Sequence, residues 1–287
     1  MSEKHIDEVS GVDTTGHEWD GIRELNNPLP RWWVITFYIT IAWALAYTVA
    51  YPAWPLVSSF TGGLLGYSSR VELKDAMALA EASRAEYAAA VAQKSVEEVL
   101  ADDTLRTFAT SAGAAAFKVN CVQCHGSGAA GSAGFPNLND DEWLWGGAPG
   151  DIFTTIAHGI RYGADDTTRV SEMPAFGEML EPAQVRQVAS YVVSLSGGAH
   201  DAALAAEGAQ VFADNCAACH GDAGKGNREL GAPDLTDAIW LYGSSLDQVA
   251  AQVRTPRHGV MPGWQERLGE TTVKELAVFI HSLGGGE

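Results

Sequence analysis

The sequence is poor in basic residues. Among 287 residues, 18 Lys and Arg stand against 36 Asp and Glu, which gives a formal net charge of −18. Nucleic-acid binding needs a basic face that contacts phosphates, so this charge argues against a nucleic-acid partner. An acidic surface is compatible with a basic protein partner attracted over a long range, and it also suits a face that only keeps the chain soluble.

The sequence also lacks the short motifs of common catalytic sites. It contains no nucleotide-binding fingerprint, no phosphate-binding loop and no serine triad. We therefore predict no catalytic residue in this chain.

Charge is absent altogether between Trp32 and Ala50. A run of this length crosses about 30 Å of hydrocarbon as a helix at about 1.5 Å per residue. Aromatic residues stand at its two ends, as is typical of membrane interfaces, and prolines follow it. We predict a single transmembrane helix within residues 31–55. A buried core helix is disfavoured because the run is apolar all round, and a cleaved signal peptide because the preceding arm is long and acidic.

The segments around this helix carry no recognisable chemistry. Residues 1–30 are acidic, and we expect an extended or weakly ordered arm. Residues 56–108 form a linker with a turn-rich start, and the Ala- and Glu-rich stretch from Val71 to Gln93 predicts one exposed amphipathic helix.

All four cysteines fall in two copies of one motif, NCVQCHG at residues 120–126 and NCAACHG at residues 215–221. A lone C-x-x-C is compatible with a redox dithiol or half of a zinc site. C-x-x-C-H is the attachment motif of c-type haem, in which both sulfurs reach one haem edge and the histidine lies under the iron. Two matched copies favour two covalently bound haem c groups. The predicted attachment residues are Cys121, Cys124, Cys216 and Cys219, and the predicted iron ligands are His125 and His220.

The repeat extends well beyond the motifs. Each copy predicts a helix that leads into the motif, a loop, a short helix, a Met-bearing loop and a closing helix. The first copy holds a polar insertion, IRYGADDTTRVSE, before its Met-Pro. We predict a mainly α fold in which the transmembrane helix precedes two tandem class I cytochrome c domains, residues 109–198 and 199–287.

A second iron ligand is expected in each copy. Met173 and Met261 stand at equivalent positions, and each precedes a proline. A thioether ligand raises the reduction potential and suits electron transfer, although a single Met is by default core filler. Met179 lies near Met173 but has no counterpart in the second copy. The spacing leaves open whether each Met serves its own repeat or the two are exchanged.

Other candidates are weaker. His158 and His258 each precede a Met-Pro. They are candidates for alternative iron ligands or for neighbours of a haem propionate, but solvated loop histidines are the favoured interpretation. The guanidinium groups of three arginines are candidates for ion pairs with haem propionates: Arg161, Arg254 and Arg257. Four aromatic residues are expected either to line a haem pocket or to fill a core: Trp143, Trp145, Trp240 and Tyr242. Surface positions are expected for His5, His17, His200 and His281.

The block HEWDGIRELNNPLPRWW (His17–Trp33), the single anchor, and the motifs NCVQCHG…MPAF and NCAACHG…MPGW resemble a known family. They are similar to the dihaem cytochrome c subunit, subunit III, of cbb3-type cytochrome c oxidases. The resemblance implies a soluble or membrane-bound cytochrome c as electron donor and the monohaem cytochrome c subunit as acceptor. It further implies a catalytic haem-copper subunit that reduces oxygen to water and pumps protons. In that family the Met ligands can be shared across the two domains.

Thioether attachment of haem takes place on the outer side of the bacterial inner membrane. We therefore expect a single-pass protein of that membrane with a cytoplasmic N-terminus and periplasmic haem domains. Two other functions compete with the oxidase subunit. A dihaem peroxidase needs one iron with an open site, which the two Met-Pro loops disfavour. A cytochrome subunit serving a periplasmic dehydrogenase differs only in its partners.

Overall fold

The structure, a computed structural model, describes residues 5–285. The chain groups into two compact units, Met1–Ala82 and Ser83–Glu287. The described part is mainly helical, as predicted, and its sheet is one two-stranded hairpin. The elements before the haem motifs are β1 Thr14–Trp19, β2 Ile22–Leu25, α1 Arg31–Ala50, α2 Ser69–Gln93, α3 Val96–Ala101 and α4 Asp103–Asn120. The later helices are α5 Val122–His125, α6 Pro149–His158, α7 Pro182–Leu195, α8 Ala202–Asn215, α9 Ala217–His220, α10 Leu246–Arg254, α11 Gln265–Leu268 and α12 Glu270–His281.

The acidic arm is more ordered than we expected. β1 and β2 pair antiparallel with Trp19 opposite Ile22. Between the strands, Asp20 and Gly21 have φ values of 50° and 83°. Two positive φ values are the mark of a type I′ turn, whose twist matches that of the flanking strands, and Asp-Gly is a preferred sequence for it. The prediction of an extended or weakly ordered arm is therefore wrong for this hairpin.

Helix α1 fits a membrane span by length and composition. None of its 20 residues is buried, its mean hydropathy is 1.6, and it is the one such helix among the described residues. Its polar side chains are satisfied internally, because the hydroxyls of Thr36, Thr40 and Thr48 donate to carbonyls of the preceding turn. The helix ends at Ala50 because the next residue precedes Pro52 and takes an extended conformation.

The chain turns back on the end of α1. The amides of Leu64 and Leu65 donate to the carbonyls of Val49 and Ala50 at 2.9 and 3.0 Å. Gly63 permits this approach, since a Cβ there would lie 2.4 Å from the Ala50 carbonyl oxygen. The turn thereby satisfies carbonyls that a helix end leaves without partners.

Helix α2 is exposed over most of its length, as predicted for the linker helix. Its last turns belong to the core of the second unit. Val91 is fully buried, and the guanidinium of Arg84 lies 3.3 Å from the carboxylate of Glu275 on α12. The next helix, α3, starts at a capping box in which Ser95 and Glu98 bond each other's backbone amides.

In the second unit, the closing helix of each repeat packs on the opening helix of the other. α12 lies against α4 and α6, and α7 lies against α8 and α10. The division into two domains, residues 109–198 and 199–287, follows the sequence repeat and stays a prediction. In the structure, both repeats fall in one compact unit and their helices interleave.

Two glycines at equivalent repeat positions allow these crossings. A Cβ on Gly113 of α4 would lie 2.1 Å from the carbonyl oxygen of Glu275 on α12. A Cβ on Gly208 of α8 would lie 2.0 Å from the carbonyl oxygen of Gln187 on α7. Because no side chain fits there, the helix backbones come into direct contact at both crossings.

Each crossing anchors its own apolar core. The first core gathers residues of α3, α4, α6 and α12, and the second gathers residues of α7, α8 and α10. Fully or almost fully buried residues of the first core include Val99, Ala109, Phe117, Val273 and Leu276. Those of the second include Val185, Val188, Ala189, Val193 and Phe212.

Candidate haem-binding sites

The first motif forms one tight turn at the end of α4. Cys121 follows the last residue of the helix, and its carbonyl accepts the amides of Cys124 and His125 at 3.2 and 3.0 Å. Gly126, with φ of 77°, ends the turn. Both thiols are free, Cys121 half-buried and Cys124 exposed. The turn therefore brings both sulfurs and the imidazole together, as haem attachment requires.

The second motif repeats this geometry at the end of α8. The Cys216 carbonyl accepts the amides of Cys219 and His220 at 3.1 and 3.0 Å, and Gly221 has φ of 75°. Cys216 is buried and Cys219 exposed. The two motifs are thus equivalent in backbone conformation as well as in sequence.

The thiols do not resemble a redox dithiol. Burial raises the pKa of Cys121 and of Cys216 to about 11. A disulfide oxidoreductase depends on a thiol pKa lowered below its usual value. Among residues 5–285, no group of three or more His, Cys, Asp and Glu side chains has the arrangement of a metal site. The raised pKa values favour thiols that serve as attachment points.

The two histidines are oriented for iron. The Nδ1 atom of His125 lies 3.0 Å from the Pro136 carbonyl oxygen, and that of His220 lies 3.1 Å from the Pro233 carbonyl oxygen. A carbonyl only accepts, so Nδ1 carries the proton and Nε2 keeps its lone pair. Burial lowers the pKa of both imidazoles, which favours this neutral form. A hydrogen bond that fixes the tautomer is the usual support of a metal-bound histidine.

A cavity of about 510 Å³ adjoins the second motif and is called the second cavity after it. Cys216, Cys219 and His220 line it together with Met173 of the first repeat. Its size lies within the range of cofactor pockets, about 300–1,000 Å³. Apolar walls come from Phe176, Val188, Val192, Phe212, Leu235, Trp240, Val249 and Val253. The donor set and the apolar walls fit a haem.

Met261 lies on the first core, not beside the motif of its own repeat. It packs on the core cluster that also contacts Cys121. Its backbone pairs with Ile160 in both directions, at 2.9 and 3.0 Å. Gly159 makes room for this pairing, since a Cβ there would lie 2.2 Å from the Met261 carbonyl oxygen. The structure therefore brings each Met to the other repeat, in the exchanged arrangement that the sequence left open.

The two histidines that precede a Met-Pro, His158 and His258, differ in environment. His158 is tied to the polar insertion, with Nδ1 2.9 Å from Asp165 and 2.6 Å from the Thr167 hydroxyl. His258 instead lines the second cavity. Its Nε2 atom is shielded from solvent and has no hydrogen-bond partner among the described residues. The expectation of a solvated loop histidine is wrong for His258.

Two of the predicted arginines line the same cavity. Arg161 donates from Nε to the Gly259 carbonyl at 2.7 Å and from Nη1 to the Ser171 carbonyl at 2.9 Å. Arg257 stacks over the Tyr242 ring at 4.4 Å. Arg254 does not line this cavity.

The aromatic residues divide between the two halves. Trp240 and Tyr242 line the second cavity, as predicted. Trp143 packs on the first core and donates its indole N–H to the Gly285 carbonyl. Trp145 lies under Arg169.

No short-range pattern in the sequence indicates that the loop after the first motif belongs to the second cavity. Its contribution includes Ala130, Ser132, Ala133, Phe135, Pro136 and Asn137.

Comparison with known families accounts for most of the chain. Residues 11–58 match the N-terminal domain of cytochrome oxidase-cbb3, FixP. Residues 108–192 and 203–280 match the family described as cytochrome c oxidase, cbb3-type, subunit III.

Individual relatives are similar over nearly their whole length. The Cbb3-type cytochrome c oxidase subunit FixP of Sinorhizobium medicae is 63% identical over 284 residues, 99% of this chain and 98% of the relative. Subunit FixPc of Rhizobium leguminosarum bv. viciae is 61% identical over 286 residues, which cover both chains completely. Subunit CcoP of Cereibacter sphaeroides is 54% identical over 277 residues, 96% of this chain and 95% of the relative. Cytochrome c domains imply covalently bound haem c and electron transfer, and with matches on both the anchor and the repeats, this chain belongs to the family of cbb3-type cytochrome c oxidase subunit III.

Proposed function

We propose that the chain is a membrane-anchored dihaem electron-transfer subunit of a respiratory terminal oxidase, without a catalytic site of its own. It takes electrons from a soluble or membrane-bound cytochrome c donor and passes them to the monohaem cytochrome c subunit. From there they reach the catalytic haem-copper subunit, which reduces oxygen to water and pumps protons. The relatives support this assembly, since each is a subunit of a cbb3-type cytochrome c oxidase.

One observation carries the proposal for two haems. Both C-x-x-C-H turns present a histidine whose Nδ1 atom faces a proline carbonyl, at 3.0 and 3.1 Å. This leaves two equivalent Nε2 atoms free beside two pairs of free thiols. In the proposal, Cys121 and Cys124 hold one haem c and Cys216 and Cys219 hold the other.

The methionines complete the two iron sites in exchange. Met173 serves the iron of His220, because both line one cavity. Met261 serves the iron of His125, because its loop pairs with the first repeat and packs on the core around Cys121. A ligand from another segment closes each site and so disfavours small-molecule binding at the iron.

The protein around each site supports electron transfer more than chemistry on a substrate. When bound, each haem supplies a one-electron couple. The apolar walls of the second cavity exclude water, and a thioether ligand raises the potential. The exposed Cys124 and Cys219 place the attachment edge of each haem near the surface, where a partner can approach.

The loop after the first motif connects the two proposed haem sites. Residues 130–137 lie shortly after His125, and six of them line the cavity that contains His220. Gly134 also donates its amide to the Leu241 carbonyl, 3.0 Å away in the second repeat.

The anchor sets the compartment in this proposal. Helix α1 crosses the bacterial inner membrane once, with a cytoplasmic N-terminus and periplasmic haem domains. Haem attachment on the periplasmic side supports this orientation.

Purification of the intact membrane complex tests the proposal. We expect a haem-copper subunit and a monohaem subunit to co-purify, and an alkaline pyridine spectrum to give two thioether-linked haems per chain. A Cys216→Ser variant should weaken haem retention in one site only, with Ser111→Ala as a matched surface control. A dehydrogenase in place of the haem-copper subunit would contradict the assigned partners. Rapid carbon monoxide binding to half of the ferrous haem of the isolated chain would favour a peroxidase.

A further inference from the structure

The second cavity contains a polar atom that the protein leaves without a partner. His258 lines the cavity, and its Nε2 atom is shielded from solvent and makes no hydrogen bond within the described residues. A buried ring nitrogen without a partner costs about 1–3 kcal/mol, so such groups are rarely left unpaired. The position points to a group that enters the cavity and accepts a hydrogen bond.

A positive charge lies in the same cavity, where it interacts electrostatically with the carboxylate of Glu172. Arg161 is half-buried in the same cavity and makes no ion pair among residues 5–285. Burial lowers the pKa of its guanidinium. Its backbone has φ of 52°, a value that a non-glycine residue adopts only when the surroundings hold it. A partly buried charge of this kind is stabilised by an anion.

Arg161 and His258 act on the same spot. The Nε atom of Arg161 donates to the carbonyl of Gly259, the residue that follows His258. The second bond, from Nη1 to Ser171, fixes the plane of the guanidinium. Two cavity-lining side chains from different repeats are thus linked through adjacent residues of one loop, which suits a carboxylate with two oxygens.

The carboxylates of the protein do not meet this need. Asp234, which also lines the cavity, is bonded to Thr236 and Lys225. Glu142 accepts the amide of Asp234. Asp140 and Glu172 also line the cavity, and Glu172 interacts electrostatically with Arg161. Among the described residues, neither accepts a hydrogen bond from Arg161 or from the Nε2 atom of His258. A haem in this cavity would bring two further carboxylates, its own propionates.

We propose that His258 and Arg161 together bind a propionate of the haem attached to Cys216 and Cys219. The proposal rests on the proposed function, because it requires that haem to be present. It makes His258 a positioning residue that stabilises the negative charge of the propionate. A propionate without its donors carries more charge toward the iron and favours the ferric state, so loss of His258 lowers the potential.

The first repeat lacks this arrangement. His158 is the histidine that precedes the Met-Pro of the first repeat, but its Nδ1 atom is engaged by Asp165 and Thr167 of the insertion. The proposal therefore concerns only one of the two haems, and His158 provides a matched control.

Redox titration of the haem-loaded full-length chain in its complex tests the proposal. In His258→Phe, we expect the reduction equilibrium constant of one haem to fall roughly three- to tenfold, where tenfold corresponds to about 59 mV for one electron. His258→Gln, which keeps a donor near the Nε2 position, should recover most of the loss. His158→Phe should leave both potentials within about twofold of the wild type.

The outcomes separate this proposal from the function on which it rests. Fewer than two covalent haems in the wild-type chain would refute the dihaem function. Two haems with unchanged potentials in His258→Phe would refute the propionate site alone. If that variant fails to retain haem, Arg161→Gln decides: a lowered potential of one haem supports the site, and unchanged potentials overturn it.

Discussion

Replacement of Gly113 by Ala tests the close helix crossing of the first core. Alanine in the middle of a helix is normally more stable than glycine by about 1 kcal/mol. Here the new Cβ would lie 2.1 Å from the carbonyl oxygen and 2.7 Å from the carbonyl carbon of Glu275. Backbone atoms do not move aside as a side chain does, so the helices must separate, at an overpacking cost of about 3 kcal/mol. The net expectation is a loss of about 2 kcal/mol, opposite in sign to the helix propensity.

Thermal unfolding of the haem-loaded chain, followed by circular dichroism, measures this loss. For a unit of about 200 residues, 2 kcal/mol lowers the Tm by roughly 4–8 °C. Gly208→Ala meets the equivalent contact at 2.0 Å and should give a similar decrease. Gly163→Ala is the control, because a Cβ there meets nothing within 4 Å. A Tm that rises in both helix variants, as propensity alone predicts, would refute the direct contact of the helix backbones.

Three further predictions address the sites and the core. Met173→Leu should lower the potential of the haem on the second motif, and Met261→Leu that of the haem on the first, with the haem count unchanged; potentiometry on chains that lack one motif distinguishes exchange from pairing within a repeat. Burial, together with nearby carboxylates, raises the pKa of Glu142 to about 7. Between about pH 4.5 and 7 the folded state therefore binds a proton that the unfolded state has lost, so the free energy of unfolding should fall as the pH rises through this range. Tm measured against pH should fall less steeply in Glu142→Gln. Arg84→Ala leaves the buried Glu275 carboxylate without its partner, which should cost roughly 1–3 kcal/mol of stability. This cost grows with pH, because burial raises the pKa of Glu275 and its carboxylate becomes charged only as the pH rises. Addition of Glu275→Gln should restore part of the lost Tm.

The elements that depend on local sequence were predictable. The uncharged run gave α1, the cysteine motifs gave the two turns at the ends of α4 and α8, and the Ala-rich stretch gave α2. These features follow from periodicity, charge and short-range spacing, which a sequence states directly. The hairpin was also within reach, since Asp20-Gly21 is a strong turn signal. The acidic composition of the arm favours disorder by itself and so points away from the hairpin that this dipeptide indicates.

The long-range arrangement was not predictable in the same way. The repeats are so alike that α7 and α12 present similar apolar faces, and either can pack on α4 or α8 by composition. Gly113 and Gly208 occupy equivalent positions, so they predict a close crossing without naming the partner helix. For the same reason, the sequence did not separate the environments of His158 and His258. The difference arises from the insertion, which reaches the first histidine only in three dimensions.

The exchanged packing has a consequence for electron transfer. Each core combines an opening helix from one repeat with a closing helix from the other, so neither core is complete without both repeats. This explains why the second unit is one compact body although its sequence is a tandem repeat. Two separate domains joined by the short SGGAH connection would move independently, and the distance between their haems would fluctuate. In the proposed dihaem function, interleaved cores would hold that distance constant. The exchange therefore makes the two repeats together, rather than the single repeat, the structural unit of this part of the chain.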